Sequence, residues 1–355
     1  MIGKKNFKDK TVLLTGHTGF KGIWLSVWLS MLGAKVHGLS LYPNKDPKFE
    51  LTKTSDAFCS EIEGDIRDLN CLTNTIESIQ PDFVFHLAAQ ALVPHSFTSP
   101  LETWTTNALG TVNVLESLRR LEKKCVAILI TSDKVYENKE WHWGYRENDQ
   151  LGGLDPYSAS KSAAELAISS YSKTFFSNQD KVRVAIARAG NVIGGGDWSE
   201  NRIVPDCIRS WFSGSQVKLR SPESTRPWQH VLEPLSGYIT LAMRLQSNKA
   251  LHGEAFNFGP DENQNKTVLN LVKEMASHWP GSDYLIEAPA EGVVHETALL
   301  KLSVDKARTL LDWKPRWFFE QTVSETMAWY EIHRDGSNKS VVNLMKKQIE
   351  NYNKV

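Results

Sequence analysis

Short apolar runs recur through the first half of the chain, at residues 11–15, 35–41, 81–90, 126–130 and 182–188. Runs this short, with little polar alternation, predict strands buried on both faces, the habit of a parallel sheet. A further strand closes at residues 62–68. Between the strands lie segments with helical spacing: residues 23–32, a long stretch after Pro100, and another opening at Pro156. Strands alternating with helices predict an α/β protein built on a doubly wound parallel sheet.

The second half is less regular. A glycine-rich segment at 194–198 predicts a flexible, aromatic-tipped loop where the chain leaves the sheet for a smaller lobe. Residues 235–245 have the pattern of a helix returning to the first lobe, a short strand ends at 257–260, and residues 268–279 form an amphipathic helix. The lobes are therefore expected to interleave: a dinucleotide-binding domain over 1–193 with a returning segment at about 233–262, and a substrate lobe over 194–232 and 263–355. A helical region starts at 300–307, and the polar tail 346–355 is expected to fray.

Charge and cysteine content narrow the function. The 355 residues carry 41 basic and 41 acidic side chains, which argues against a nucleic acid or membrane surface held by bulk electrostatics. No segment approaches the length of a membrane span or a signal peptide, so a cytoplasmic protein is expected. Cys59, Cys71, Cys125 and Cys207 have neither CxxC nor metal-ligand spacing, so buried thiols are expected and no metal.

Chemistry enters at the first strand, which runs into Gly16-His17-Thr18-Gly19-Phe20-Lys21-Gly22 and then an apolar helix. Gly16 permits a tight turn, Gly19 lets backbone approach a pyrophosphate, Gly22 allows close helix packing, and the helix amino terminus attracts the anion. This is a Rossmann-type arrangement. The second strand ends at Ser40, with neither an acidic residue for ribose hydroxyls nor an arginine for a 2′-phosphate, so NAD and NADP both stay open at this position.

Asp155 can cap a helix and Pro156 suits its first turn, which sets Tyr157 and Lys161 four apart on one helical face. An ammonium beside a phenol favours the phenolate and lowers its pKa, so Tyr157 could take a proton from a substrate hydroxyl. Thr131-Ser132-Asp133-Lys134 leaves the end of the fifth strand, where open α/β sheets bind ligands.

Taken together, Gly16 to Gly22, Asp65-Ile66, Leu87-Ala88-Ala89, Asn107, Tyr157-x-x-x-Lys161 and residues 188–194 resemble the extended short-chain dehydrogenases/reductases that act on nucleotide sugars. Asp133 followed by an ionisable residue, with Gly194-Gly195-Gly196-Asp197-Trp198 and Arg226-Pro227-Trp228-Gln229-His230, is similar to the 4,6-dehydratases of that family. Sister enzymes carry glutamate where this chain has Lys134.

The resemblance implies a lyase with NAD as a recycled cofactor and a nucleoside-diphosphate glucose as substrate, with cytidine as the base by resemblance alone. Tyr157, helped by Lys161 and Ser132, would serve oxidation at C4. Asp133 would be the acid for the departing 6-hydroxyl, and Lys134 either the base at C5 or a cation stabilising the enolate.

Cofactor contacts would come from Gly16, Thr18, Gly19, Phe20, Lys21, Gly22, Ser40, Asp65, Ile66, Leu87, Ala88, Ala89, Asn107, Thr131, Tyr157 and Lys161. Asp65 is alternatively the cap of the helix near Asp68, and Asn107 is held structurally in the family. Substrate contacts would come from Asn191, Arg202, Val204, Lys218, Arg220, Arg226 and His230; His295 and Glu296 offer a weaker ligand-facing loop. The helices near 101–121 and 156–171 could pack a homodimer or be buried within one subunit. A 4-epimerase or reductase on the same scaffold would use Tyr157 and Lys161 but need nothing at 133 and 134; a regulator that had lost its chemistry would need neither.

Overall fold

A computed structural model describes residues 2–42, 55–179, 181–261, 264–287 and 299–355. Seven strands form one parallel sheet: β1 (Thr11–Thr15), β2 (Lys35–Ser40), β3 (Ser60–Glu63), β4 (Phe83–His86), β5 (Cys125–Ile130), β6 (Val182–Ala189) and β7 (Ala255–Phe258), in the order β7-β6-β5-β4-β1-β2-β3. Adjacent residues of a strand face opposite sides, so Val12 and Leu14 enter one apolar cluster while Leu13 enters another. That double burial is why these runs show no polar alternation.

The order reverses between β1 and β4, which pair from Val12 opposite Phe83 to Thr15 opposite His86. The carboxyl ends of β1, β4, β5 and β6 thus deliver Gly16, Leu87, Thr131 and Gly190 to one edge, where this class of sheet opens a crevice. The flanking helices include α1 (Phe20–Met31), α2 (Leu69–Ile79), α3 (Gly110–Leu118), α4 (Pro156–Tyr171), α5 (Ile203–Phe212), α6 (Leu232–Ser247), α7 (Val268–Ser277), α8 (Asp305–Leu311), α9 (Phe319–Asp335) and α10 (Asn338–Tyr352). Helix α6 packs beside β5 and β6, and β7 completes the sheet.

Two expectations fail. The glycines at 194–196 do not serve flexibility: a Cβ on Gly195 would stand 1.9 Å from the Trp329 ring, and Trp24 donates its indole N–H to the Gly195 carbonyl at 2.9 Å. The loop is glycine-rich because an indole lies against it. Nor does the tail fray. Val341, Met345, Ile349 and Tyr352 recur at helical spacing and are buried, and the Tyr352 hydroxyl donates to Glu233 at 2.6 Å. The Tyr352 ring meets Trp28 of α1 edge-on at 5.7 Å.

Of the four cysteines, none paired, Cys125 and Cys207 are buried, Cys71 is half-buried and Cys59 is exposed, so burial holds for two only. No helix among the described residues is long and apolar enough to cross a membrane.

Candidate active site

The crevice begins at the glycine turn. Gly16 has φ +75°, and a Cβ there would lie 2.6 Å from the Ala88 nitrogen; one on Gly22 would lie 2.2 Å from the Gly16 carbonyl oxygen. Side chains are thus excluded from both positions, which packs α1 tightly on β1 and β4. Helix α1 starts after Gly19 with no side-chain cap, leaving its first N–H groups to a ligand. This cradle fits a dinucleotide pyrophosphate. At the end of β2, Thr18 and Ser40 share a hydrogen bond of 2.7 Å, placing hydroxyls where an acid usually stands. Asp65 receives the backbone and guanidinium N–H groups of Arg67 at 2.8 Å, while Asp68 accepts from Asn70 and Cys71 and caps α2. Asp65 is therefore no helix cap. Ile66 is buried against Gly110.

Helix α4 carries the central pair. Asp155 accepts from the Ser158 N–H at 2.9 Å and Pro156 fills the first turn, as the local sequence demands. Tyr157, Lys161 and Glu165 then follow at four-residue steps, all buried. Glu165 anchors the helix: it accepts from the Thr131 hydroxyl at 2.6 Å and from Arg188 Nε at 2.8 Å, with a second Arg188 contact to its other oxygen. Arg188 also donates to the Tyr136 hydroxyl (2.6 Å) and the Glu147 carbonyl (3.0 Å). One buried ion pair thus ties α4 to the ends of β5 and β6. Sequence reasoning does not single out Glu165; its place one turn beyond Lys161 is the signal.

Asn107 braces the helix from the other side, within a π-turn at Thr105–Leu109 that joins the helix Pro100–Trp104 to α3. Its amide donates to Ser160 Oγ at 2.9 Å and to the Gln90 carbonyl at 3.0 Å, and accepts from the Gln90 N–H at 2.9 Å. Asn107 holds structure and does not face a ligand.

The electrostatics differ from the sequence expectation. Burial raises the Tyr157 phenol above its ordinary value; the Ser132 hydrogen bond and the Arg202 charge pull it back, and Asp133 adds to the rise. Lys161 is itself perturbed: burial lowers its ammonium to about 8 against the opposing pull of Glu165, which still leaves it mostly charged at neutral pH. Lys21 is similarly lowered to about 8, chiefly by burial and then by Arg202, with Asp133 and Asp197 opposing. Two amines poised near neutrality therefore stand in this crevice. Asp133 is buried, takes the Ser132 hydroxyl at 2.9 Å, and rests on Gly190, where a Cβ would lie 1.9 Å from its Oδ2. Lys134 is half-buried in the short turn Asp133–Val135.

Of the expected substrate contacts, Arg202 reaches this cluster and pairs with Asp197 at 3.2 Å. Asn191 adopts φ +49° at the end of β6 and its carbonyl accepts from the Gln229 N–H. Arg226 donates to the Thr225 carbonyl, Arg220 is exposed near Asp206, and Lys218 is exposed and paired with Glu287 at 2.8 Å. Two are corrected. Val204 is buried in α5 as part of the core, and His230 is fully buried between Trp24 and Trp317 at ring distances of 5.7 and 4.8 Å, so neither meets a ligand. Burial pushes the His230 imidazole down to about 3, so it stays neutral. His295 and Glu296 lie outside the described residues.

A sheet in this order, a glycine cradle at its switch point and a buried Tyr-x-x-x-Lys pair beside it define a short-chain dehydrogenase/reductase of Rossmann type. A family model described as GDP-mannose 4,6 dehydratase matches residues 13–326, and the chain belongs to that family. It is 45% identical over 357 residues to the CDP-glucose 4,6-dehydratase of Salmonella typhimurium, covering 99% of this chain and 98% of that protein. It is 24% identical to the CDP-paratose 2-epimerase of Salmonella typhi, over 90% of this chain and 98% of the relative. Among solved structures, the dTDP-glucose 4,6-dehydratase DesIV of Streptomyces venezuelae, with NAD and TYD bound, superposes with TM-score 0.76 at 22% identity, covering 92% and 98% of the two chains.

Proposed function

We propose that the protein is a CDP-glucose 4,6-dehydratase, an NAD-dependent lyase converting CDP-glucose to CDP-4-keto-6-deoxyglucose and water. The carrying observation is the near-complete 45% match to the Salmonella typhimurium enzyme, and the charge of Asp133 acting on the Tyr157 phenol supports it. When bound, NAD supplies a hydride acceptor for C4 and a donor for C6. The cradle of Gly16, Gly19 and Gly22 would hold its pyrophosphate, with Thr18 and Ser40 toward the adenosine ribose.

Tyr157 takes the proton of the 4-hydroxyl, with Ser132 hydrogen-bonded to the phenol and Lys161 and Arg202 supplying positive charge. The resulting ketone acidifies C5. Asp133 gives its proton to the departing 6-hydroxyl. An amine at Lys134 accepts the C5 proton or, as a cation, stabilises the enolate. Residues 194–232 and 263–355 form the nucleotide-sugar lobe, with Arg202 and Arg226 for the diphosphate.

The exposed apolar side chains Leu101, Trp104, Leu109 and Leu166 on the helices of the crevice side support a homodimer. The enzyme works in the cytoplasm on a precursor of deoxysugars of the O-antigen type. Turnover of CDP-, dTDP-, GDP- and UDP-glucose, with and without added NAD, tests the assignment. A 4-keto product from CDP-glucose with no net NADH is expected; formation of a 4-epimer with the 6-hydroxyl retained would replace dehydration by epimerisation.

A further inference from the structure

One buried imidazole below the crevice has no part in the chemistry above. His86 ends β4 directly opposite Thr15 of β1, and both side chains are buried. Thr15 Oγ1 lies 2.7 Å from His86 Nδ1, and Thr111 Oγ1 of α3 lies 3.2 Å from Nε2. The outer contacts fix every proton in this row. The Thr111 hydroxyl donates to the Asn107 carbonyl at 2.7 Å, so its oxygen can only accept from His86, and Nε2 carries the hydrogen. Burial pushes the imidazole down to about 3, with the Lys161 charge adding to the fall, so the ring is neutral and Nδ1 is bare. Thr15 therefore donates to Nδ1, and its oxygen accepts the Ala88 N–H at 3.3 Å. The row runs without a break from Ala88 through Thr15, His86 and Thr111 to Asn107.

Both ends of the row reach the site. Ala88 lies against the glycine turn, a Cβ on Gly16 standing 2.6 Å from its nitrogen, and so forms part of the dinucleotide bed. Asn107 grips Ser160, which lies between Tyr157 and Lys161 on α4 and donates its hydroxyl to the Tyr157 carbonyl at 2.7 Å. Asn107 also accepts from the Gln90 N–H and donates to the Gln90 carbonyl, so residues 86–90 are held to it at each end. Bed and catalytic helix are separate elements, yet a transfer between groups they carry needs reacting atoms about 3–3.5 Å apart. Resting on the C4 oxidation proposed above, we infer that His86 is a positioning residue for that step. As its Nε2–H tautomer it is a strut that sets the spacing between the dinucleotide bed and the helix of Tyr157 and Lys161. It acts through Ala88 and Asn107 and not on the reacting atoms. Each hydroxyl in the row has one hydrogen and spends it in one direction, so reversing or deleting any member leaves a buried polar atom unmatched and the strut slack.

The test cuts the row at a hydroxyl. T111V keeps the shape of Thr111 but cannot join His86 to Asn107, whereas T111S keeps the join and gives up a methyl group. With CDP-glucose and NAD, the single-turnover rate of nicotinamide reduction should fall about tenfold in T111V, short of the roughly 100-fold that a misplacement of about 1 Å costs, and T111S should stay within about threefold of the parent. The NAD dissociation constant, read by titration without substrate, should change less than about threefold in both, because the glycine cradle is untouched. A packing role for Thr111 predicts the opposite order, with valine tolerated and serine slow. That order, or the parent rate in T111V, overturns the inference. Should T111V fail to fold, the parent protein decides. In histidine-selective 15N spectra, the ring resonances missing from H86Q should show Nε2–H and a bare Nδ1 from about pH 6 to 9; an Nδ1–H tautomer, or a ring that titrates in that range, overturns it. A parent that reduces no nicotinamide with CDP-glucose would instead sink the dehydratase assignment, an outcome distinct from any difference between the variants.

Discussion

Replacing Arg188 by methionine probes the link between fold and chemistry. The pair it forms with Glu165 is about as buried as such a pair can be, the side chains being 3% and 2% exposed. Methionine would leave the Glu165 carboxylate with the Thr131 hydroxyl and strip the donor from the Tyr136 hydroxyl and the Glu147 carbonyl. Breaking a buried pair from one side costs about 3–5 kcal/mol. With a melting entropy of about 2.1 cal/mol/K per residue, a chain this long loses roughly 4–7 °C in Tm. The double variant Arg188→Met, Glu165→Met removes the stranded charge and should regain most of that loss, since apolar replacement of a buried pair is near neutral. It should not regain activity at alkaline pH. Without Glu165 the Lys161 ammonium, already lowered to about 8, falls further, and the descending limb of the pH–rate profile moves to lower pH. Calorimetry on the four combinations, with kcat from pH 6 to 9, makes the comparison. If the double variant melts as low as Arg188→Met, or its pH profile matches the parent, the reasoning is refuted.

Two further outcomes are specific. In Gly190→Ala the new methyl collides with a movable carboxylate and not with backbone, so the protein should fold with Asp133 displaced; C4 oxidation should survive while elimination drops by about tenfold or more, seen as reduced nicotinamide without 4-keto-6-deoxy product, and full turnover would remove Asp133 from the mechanism. Burial raises the Glu233 carboxyl to about 7 despite donors from Tyr352, Trp317 and Arg316. Its folded pKa exceeds its unfolded one, so its stabilisation is complete below about pH 4.3 and is lost as pH rises through 7, up to ~3 kcal/mol. Melting of the parent relative to Glu233→Gln should decline across that window, and parallel curves would contradict it.

What the sequence discloses is what chemistry confines to neighbours in the chain. Gly16, Gly19 and Gly22 are legible because a turn and a helix terminus are local, and so are Asp155, Tyr157 and Lys161, which share one helix. Arg188 and Glu165 meet across 23 positions, and only the meeting of β6 with α4 makes either meaningful. His230 and Val204 look polar-adjacent and ligand-ready in sequence, yet burial is set by Trp24, Trp317 and the core around α5. The tail deceived through composition: its polar residues outnumber the buried set, but Val341, Met345, Ile349 and Tyr352 fall on one face. The Tyr157 phenol shows a further limit, because proximity to a lysine says nothing of how much water both have lost.

A π-turn amounts to one residue more than an α-helix needs, and here the surplus falls across Thr105–Leu109. Deleting any one residue of that turn would let the two helical segments merge into a regular helix of good hydrogen bonding. The same repair would keep the flanking segments in phase but redistribute the residues of the turn itself, carrying Asn107 or its replacement off Gln90 and Ser160. Shortening the chain here would therefore make a tidier helix and a poorer enzyme, which explains why an irregularity sits in an otherwise well-formed layer.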